Sequence, residues 1–387
     1  MKNKLFVALL FIITLGVIGF YPSFQNAADA TVKTTHNDNP KIQLAILLDT
    51  SSSMSGLINQ TREQLWQVVN EFSRAEHQGK KPRLEVAVYE YGNSHLSAAN
   101  GYIRQVTGLT GELDAVSEAL FSLVTSGGDE YCGYVIKTAV NDLAWSDSDD
   151  DIKAIFIAGN EPFTQGPVPY REAIAFAKSK GIVINTIHAG PLAQGANSGW
   201  KDGALLAGGE FMSIDHNYKV AHIKSPQDKK IAELNTQLNE TYVPYGKKGK
   251  EKALRQQSQD MKNKSVSTGL LVKRAEAKAS PLYDNSNWDL VDALESGKVE
   301  VDKLDKEALP SEMRGMNSDK QKAYLQSKVE QRKVIKQKIL KLSKERKKYV
   351  EEKKKESTAP AVATIEKAMI SAVRKQGEKK NYKFETK

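Results

Sequence analysis

The chain has 387 residues, 40% of them apolar, enough for one large domain with an extension or for two domains. Its net charge of +9 is unevenly spread: residues 1–30 carry +1, residues 31–245 carry −7 and residues 246–387 carry +15. Its single cysteine, Cys132, excludes an internal disulfide framework, and with no second His or Cys at ligand spacing no zinc site is expected.

Lys2 and Lys4 precede an apolar run, Leu5–Phe20, and Ala28-Asp29-Ala30 supplies small residues for cleavage. This is a secretory signal pattern over residues 1–30, and it predicts an exported chain, periplasmic or extracellular, beginning near Thr31. The alternative is an uncleaved membrane anchor, although the run falls short of the roughly 20 residues of a full span. Residues 31–40 are polar, end in Pro40 and read as a linker.

Ile42–Leu48 reads as a buried strand, and a helix follows over 57–75 with Leu57, Leu65, Val68, Val69 and Phe72 mostly on one face. Leu84–Tyr91 alternates as a strand, Tyr102–Val106 as a short edge strand after the Asn100-Gly101 turn, and Leu113–Val124 as a helix. The break Gly127-Gly128 opens a helix over Tyr131–Trp145 that holds Cys132, read as a buried thiol, and Ser146–Asp151 is a solvated acidic connection. Strands follow at Ile152–Ala158, Ile182–Ile187 and Glu210–Ile214, with helices at Tyr170–Lys180, around Gly203–Ala207 and at Pro226–Leu238. Strands alternating with helices predict an α/β fold, with a mostly parallel sheet and helices on both faces. In such sheets the strand carboxyl ends form the ligand crevice, to which Asp49, residues 159–161 and His188 are expected to turn.

Asp49, Ser51 and Ser53 form a D-x-S-x-S pattern at the end of the first strand. One carboxylate and two hydroxyls make an oxygen cage suited to a hard divalent cation, Mg²⁺ in particular. No Gly-x-Ser-x-Gly elbow and no phosphate-binding Gly-Lys-Thr/Ser loop occurs, so a catalytic reading has only Glu161 and His188 to offer as an acid–base pair.

Over residues 41–245 the chain resembles the von Willebrand factor A (VWA) domain family. Asp49-x-Ser51-x-Ser53 matches that family's metal-ion-dependent adhesion site (MIDAS), Gly127-Gly128-Asp129 stands where the family has Gly-Gly-Thr, and the strand Ile152–Ala158 stands where the family ends in Thr-Asp-Gly. The resemblance implies a Rossmann-like fold, one divalent metal (Mg²⁺, or Mn²⁺ or Ca²⁺) above the sheet, and binding of a protein partner through an acidic side chain, without catalysis. It implies metal ligands at Asp49, Ser51 and Ser53, with Asp129 in the third position. The usual last aspartate falls on Gly159, and Glu161 is the candidate replacement.

Residues 246–317 read as a helical linker region in which Trp288, Val291 and Leu294 share a face that docks on the body. Residues 318–387 read as a basic coiled-coil-like helix and tail, the helix running over Ser318–Glu356 and ended by Pro360. Leu325, Val329, Ile335, Ile339, Leu342 and Tyr349 form a seam interrupted at Arg332 and Arg346, which offers a route to oligomers. Ile365–Val373 reads as a short amphipathic helix, and the final lysine-rich residues as disordered. The lysines either solvate this helix or hold the protein near an anionic envelope surface; export and the lack of interleaved aromatics argue against nucleic acid. The function expected is a metal-dependent adhesion or scaffold module. The alternative is a structural envelope protein with a degenerate metal site and an assembling tail.

Overall fold

The computed structural model describes residues 39–215, 217–218, 222–356 and 364–384; the segment read as an export signal and most of the linker after it lie outside them. In chain order the first half runs β1 (Lys41–Asp49), α1 (Ser55–Phe72), β2 (Ala75–His77), β3 (Arg83–Tyr91), β4 (Ile103–Thr110), α2 (Leu113–Ser122), α3 (Cys132–Asp142), β5 (Ile152–Gly159), α4 (Tyr170–Ser179) and β6 (Val183–Ala189). It continues with α5 (Leu192–Asn197), α6 (Trp200–Ala207), β7 (Phe211–Ile214), α7 (Asp228–Asn239), α8 (Gly249–Val266), α9 (Thr268–Ala279), α10 (Leu290–Glu295), α11 (Ser318–Glu356), α12 (Ile365–Lys379) and β8 (Tyr382–Phe384).

The main sheet has the order β4-β3-β1-β5-β6-β7. All its pairings are parallel except that of β4, the antiparallel edge. This is the expected Rossmann-like α/β sheet with helices on both faces. β1 lies at its centre and is buried on both sides because successive side chains point to opposite faces. Ala45 and Leu47 face α3, α4 and α6 through Val135, Ile136, Ile174 and Trp200. Leu44, Ile46 and Leu48 face a second core built from Trp66 and Val69 of α1, Leu234 of α7, Leu270 of α9 and Met369 of α12.

That second core changes the reading of the chain after residue 245. The composition step there is not a packing boundary, because α12 packs on the sheet beside α1, α9 packs on α1 and α7 within the same core, and the described residues from Asn39 onward form one compact unit. The acidic body and basic extension are two halves of one interface. Lys252 pairs with Glu112, Arg255 with Glu118, Arg274 with Asp114, Arg346 with Asp228, Arg374 with Glu71 and Lys375 with Glu210.

Two of these contacts belong to buried networks. Arg274 is fully buried and donates to both Asp114 and Asp260 at 2.6 Å. Lys278, also fully buried, donates to Asp260 at 3.0 Å, and Asp260 further accepts from Asn235 and Asn239. Burial alone would raise the Asp260 carboxyl, but Lys278 and Arg274 hold it well below the usual carboxylate range. Burial likewise pushes the Lys278 ammonium down to about 8 against the pull of Asp260.

α11 follows the bounds read from the sequence, but its seam faces its own chain. Leu325 and Ile339 are buried against the body; of the supposed interruptions Arg332 is buried too, and the half-buried Arg346 pairs with Asp228. Arg332, 1% exposed, donates to Asp292 Oδ1 at 2.6 Å and to the Thr241 carbonyl at 2.6 Å, and it pairs with Asp289. Trp288 and Val291 dock as expected, with Trp288 stacked on Tyr242 at 5.6 Å. The tail end is also ordered further than expected: α12 runs on to Lys379, and β8 pairs antiparallel with β2, a strand whose first residue was assigned to the preceding helix. Among the described residues no helix is long and apolar enough to cross a membrane.

Removing one partner of a buried ion pair strands the other. Arg332→Ala should therefore cost about 3–5 kcal/mol in urea unfolding of the full chain, whereas a loss within error would show that the Arg332 contacts do not clamp α11. A fragment ending at residue 245 should lack a cooperative transition, since it exposes Leu44, Ile46 and Trp66.

Candidate metal centre

The carboxyl end of β1 is tied to its neighbours by backbone bonds that leave its side chains aimed into one crevice. Thr50 N donates to the Tyr91 carbonyl at 2.9 Å, and Ser126 N to the Thr50 carbonyl at 3.0 Å. Asp49 is wholly buried; its Oδ1 accepts from Ser51 N at 2.7 Å, while its Oδ2 has no hydrogen-bond donor. Ser51 Oγ lies 3.4 Å from Ser53 Oγ, which in turn accepts from Asn160 Nδ2 at 3.4 Å. Asp49, Ser51 and Ser53 thus lie together as their spacing implied.

The third position is occupied differently. Asp129 is exposed, and its Oδ2 accepts from the Tyr131 hydroxyl at 3.1 Å, so it turns away from the crevice. Glu130 turns in instead: it is 5% exposed, and its Cγ and Cδ lie beside Asp49 Oδ1 around the space left open at Gly92. Its backbone N–H is held by Gln165 Oε1 at 2.8 Å, which ties the Gly127-Gly128 loop to the loop after β5. Close packing makes the swap specific. A Cβ at Gly92 would stand 2.7 Å from Glu130 Cγ, and a Cβ at Gly128 2.8 Å from the Gly92 carbonyl.

The loss of the last acid also has a steric cause. A Cβ at Gly159 would fall 2.5 Å from the Tyr91 hydroxyl, which donates to the Ala158 carbonyl at 3.0 Å and fills the space an aspartate would need. Glu161 does not take over as an inward side chain. It is exposed, and its backbone carbonyl accepts from Trp200 Nε1 at 2.8 Å. Its charge still acts on Glu130, raising that carboxyl. Asn160 reaches the site instead: its Nδ2 donates to Ser53 Oγ at 3.4 Å, and its side-chain Oδ1 is buried without a partner.

His188 is fully buried at the end of β6, 5.8 Å from the Trp200 ring, with Gly195 of α5 pressed on its imidazole. It is a wall residue and does not open to the crevice as its position suggested. Cys132 is buried, with Sγ 3.8 Å from the Tyr91 hydroxyl, and burial raises its thiol well above the ordinary range.

The electrostatics of this pocket call for a positive charge. Burial lifts the Asp49 carboxyl, and burial together with the adjoining Asp49 pushes Glu130 up to about 10. Two buried carboxyls in contact cannot both ionise unaided: the pair either keeps a proton, as the rise at Glu130 describes, or takes up a cation in its place. Among the described residues no Lys, Arg or His forms a salt bridge with either. Nor is any group of three or more His, Cys, Asp or Glu arranged to hold a metal. The available donors are all oxygens: two carboxylates, two hydroxyls and the unpartnered Asn160 Oδ1. That set fits a hard cation that keeps part of its water shell better than it fits zinc or a carboxylate-rich calcium cage.

No family model and no curated protein sequence matches the chain. Among solved structures it is similar to proximal thread matrix protein 1 from the mussel byssus, at 13% identity over 45% of this chain and 41% of that one, with a TM-score of 0.34. One crystal structure of that mussel protein has a zinc-occupied MIDAS motif. It is also similar to the SpRpn10 VWA domain (16% identity, 45% of this chain and 88% of that one, TM-score 0.33). A third likeness is an aerotolerance-related membrane protein from Bacteroides fragilis (14% identity, 46% and 93%, TM-score 0.31). The matched part spans about two fifths of the mussel protein's length. The class itself rests on the chain's own topology: a parallel α/β sheet with one antiparallel edge and a D-x-S-x-S loop at the carboxyl end of its central strand. That is a VWA-type fold.

The Tyr91–Gly159 packing predicts that restoring the missing acid is costly. Gly159→Asp should destabilise the chain by about 1–3 kcal/mol through overpacking, and combining it with Tyr91→Phe should recover part of that loss in urea unfolding. Equal losses with and without the tyrosine hydroxyl would refute the steric account.

Proposed function

We propose that the chain is an exported, divalent-metal-dependent protein-binding module, working through the strand-end site as an adhesion or scaffold element and not as a catalyst. The observation that carries this is the buried oxygen set of Asp49, Glu130, Ser51, Ser53 and Asn160, two of whose oxygens have no donor and whose two carboxyls have no basic partner. When bound, the cation would supply the missing positive charge and a coordination position open to a partner. Asp49 and Glu130 would neutralise it, Ser51 and Ser53 would contribute hydroxyl oxygens, and Asn160 would hold Ser53 in place. Mg²⁺ is the first choice for this donor set, with Mn²⁺ or Ca²⁺ as alternatives. The binding reading is further supported by the burial of His188 and the exposure of Glu161, which leave no acid–base pair formed from those two in the crevice.

The alternative of an assembling tail loses its main support, because the α11 seam is spent on contacts within the chain. What α11 leaves outside is a face rich in lysine, including Lys333, Lys338, Lys341, Lys344 and Lys348. This face supports contact with an anionic envelope surface as a second, salt-sensitive partner. Co-sedimentation with anionic vesicles at low salt should recover the protein and release it at high salt; recovery that ignores salt would remove this part of the reading.

Thermal melting of the purified full chain tests the metal. Mg²⁺ or Mn²⁺ at a hundredfold excess over Kd should add about 2.7 kcal/mol, seen as a rise of a few degrees in Tm that EDTA reverses. Asp49→Ala should abolish the rise. A Tm indifferent to Mg²⁺, Mn²⁺ and Ca²⁺ alike would overturn the proposal.

A further inference from the structure

We propose that Glu130 is a built-in carboxylate ligand at the third protein position of the metal's shell, so that this site takes its partner through a neutral oxygen, a backbone carbonyl, side-chain amide or hydroxyl. The inference rests on the metal-binding reading above and specifies the partner chemistry of that same site.

The geometry singles out Glu130 among the nearby acids. Asp129 is turned to solvent and engaged by Tyr131, and Glu161 is exposed on the rim, whereas Glu130 is buried against Asp49 and Ser51. Its place is enforced from three sides. The missing side chain at Gly92 leaves room for its Cγ, Gln165 fixes its backbone N–H at 2.8 Å, and the Gly128 backbone packs against residues 92–94 too closely for a Cβ. A threonine at this position would bring a neutral hydroxyl, whereas Glu130 brings a full negative charge on a longer arm.

Charge then decides which partner is attracted. A divalent cation between Asp49 and Glu130 is formally neutralised before any partner arrives, and Glu161 adds further negative charge nearby. Among the described residues no salt bridge from a basic side chain offsets these carboxylates. Two unlike charges a few ångströms apart in a partly buried site interact by several kcal/mol, so a third carboxylate has lost the attraction that would offset its desolvation. A neutral oxygen donor has a much smaller desolvation cost and needs no residual charge on the metal. The same two carboxylates should hold the cation itself more firmly than one would.

The test uses the full chain, with Mn²⁺ as the spectroscopic probe and acetate as a stand-in for an acidic side chain. Free Mn²⁺ is read by electron paramagnetic resonance, with and without saturating acetate, for wild type, Glu130→Gln, Glu130→Thr and Asp49→Ala. In wild type acetate should leave Mn²⁺ affinity unchanged. Glu130→Gln, which keeps the size, should weaken Mn²⁺ binding by about tenfold or more, and acetate should then tighten it severalfold; Glu130→Thr should do the same, and melting in EDTA shows that both variants fold. If acetate tightens Mn²⁺ in wild type as much as in the variants, or if Glu130→Gln binds Mn²⁺ like wild type, the inference falls while the metal reading stands. If wild type binds no Mn²⁺, or Asp49→Ala binds it equally well, the metal reading falls first and takes this inference with it.

Discussion

A central parallel strand with apolar side chains on both faces must be covered on both faces, and that requirement organises this molecule. β1 has Leu44, Ile46 and Leu48 on one side and Ala45 and Leu47 on the other. Helices α3, α4 and α6 cover the second face. The first face is too wide for α1 alone, and the chain closes it with α12, from near its far end, while α9 packs on α1 and α7 in the same core. The positive charge of those segments is what docks them. Arg274, Arg346, Arg374 and Lys375 each meet an acid of the body, and the fully buried Arg274 and Lys278 are tolerated only because Asp114, Asp260, Asn235 and Asn239 satisfy them. Such pairs are better understood as fixing which helix goes where than as a large net gain in stability.

The same cover holds the crevice at the other end of the strand rigid. Because β1 cannot slide or rotate between two packed layers, Asp49 is delivered to one position, and the loops from β3, from the Gly127-Gly128 break and from β5 are tied to it by the bonds of Thr50, Ser126 and Gln165. The result is a buried pair of carboxyls without a counter-charge, an arrangement that a purely structural loop would avoid. The pair is costly to ionise in that buried crevice, and this cost is what the proposed cation would relieve.

The sequence showed the elements better than their associations. The strand ends, the edge strand β4, the glycine break and the bounds of α11 follow from local patterns of apolar spacing and turn residues. The charge step at residue 245 was legible too, but its meaning was not: a composition change marks a domain boundary or a complementary interface equally well, and only the pairing of Arg274 with Asp114 separates them. Arg332 and Arg346 looked like flaws in an apolar seam. They are its anchors, because an arginine opposite a buried aspartate packs where a leucine would be expected. At the site, Asp49, Ser51 and Ser53 were readable because their spacing is local to one loop. Whether Asp129 or Glu130 turns inward depends on the bond from the Glu130 N–H to Gln165 and on the room at Gly92, both distant in sequence.

The amino-acid sequence by itself therefore determined the α/β class and the first loop of the site, since both arise from short-range periodicity. Tertiary structure decided that the basic extension is a layer of the core, that Tyr91 displaces the acid expected at residue 159, and that Glu130 supplies the second carboxylate. Each of those outcomes is a contest for the same few cubic ångströms between residues far apart in the chain, and only packing settles which side chain occupies them.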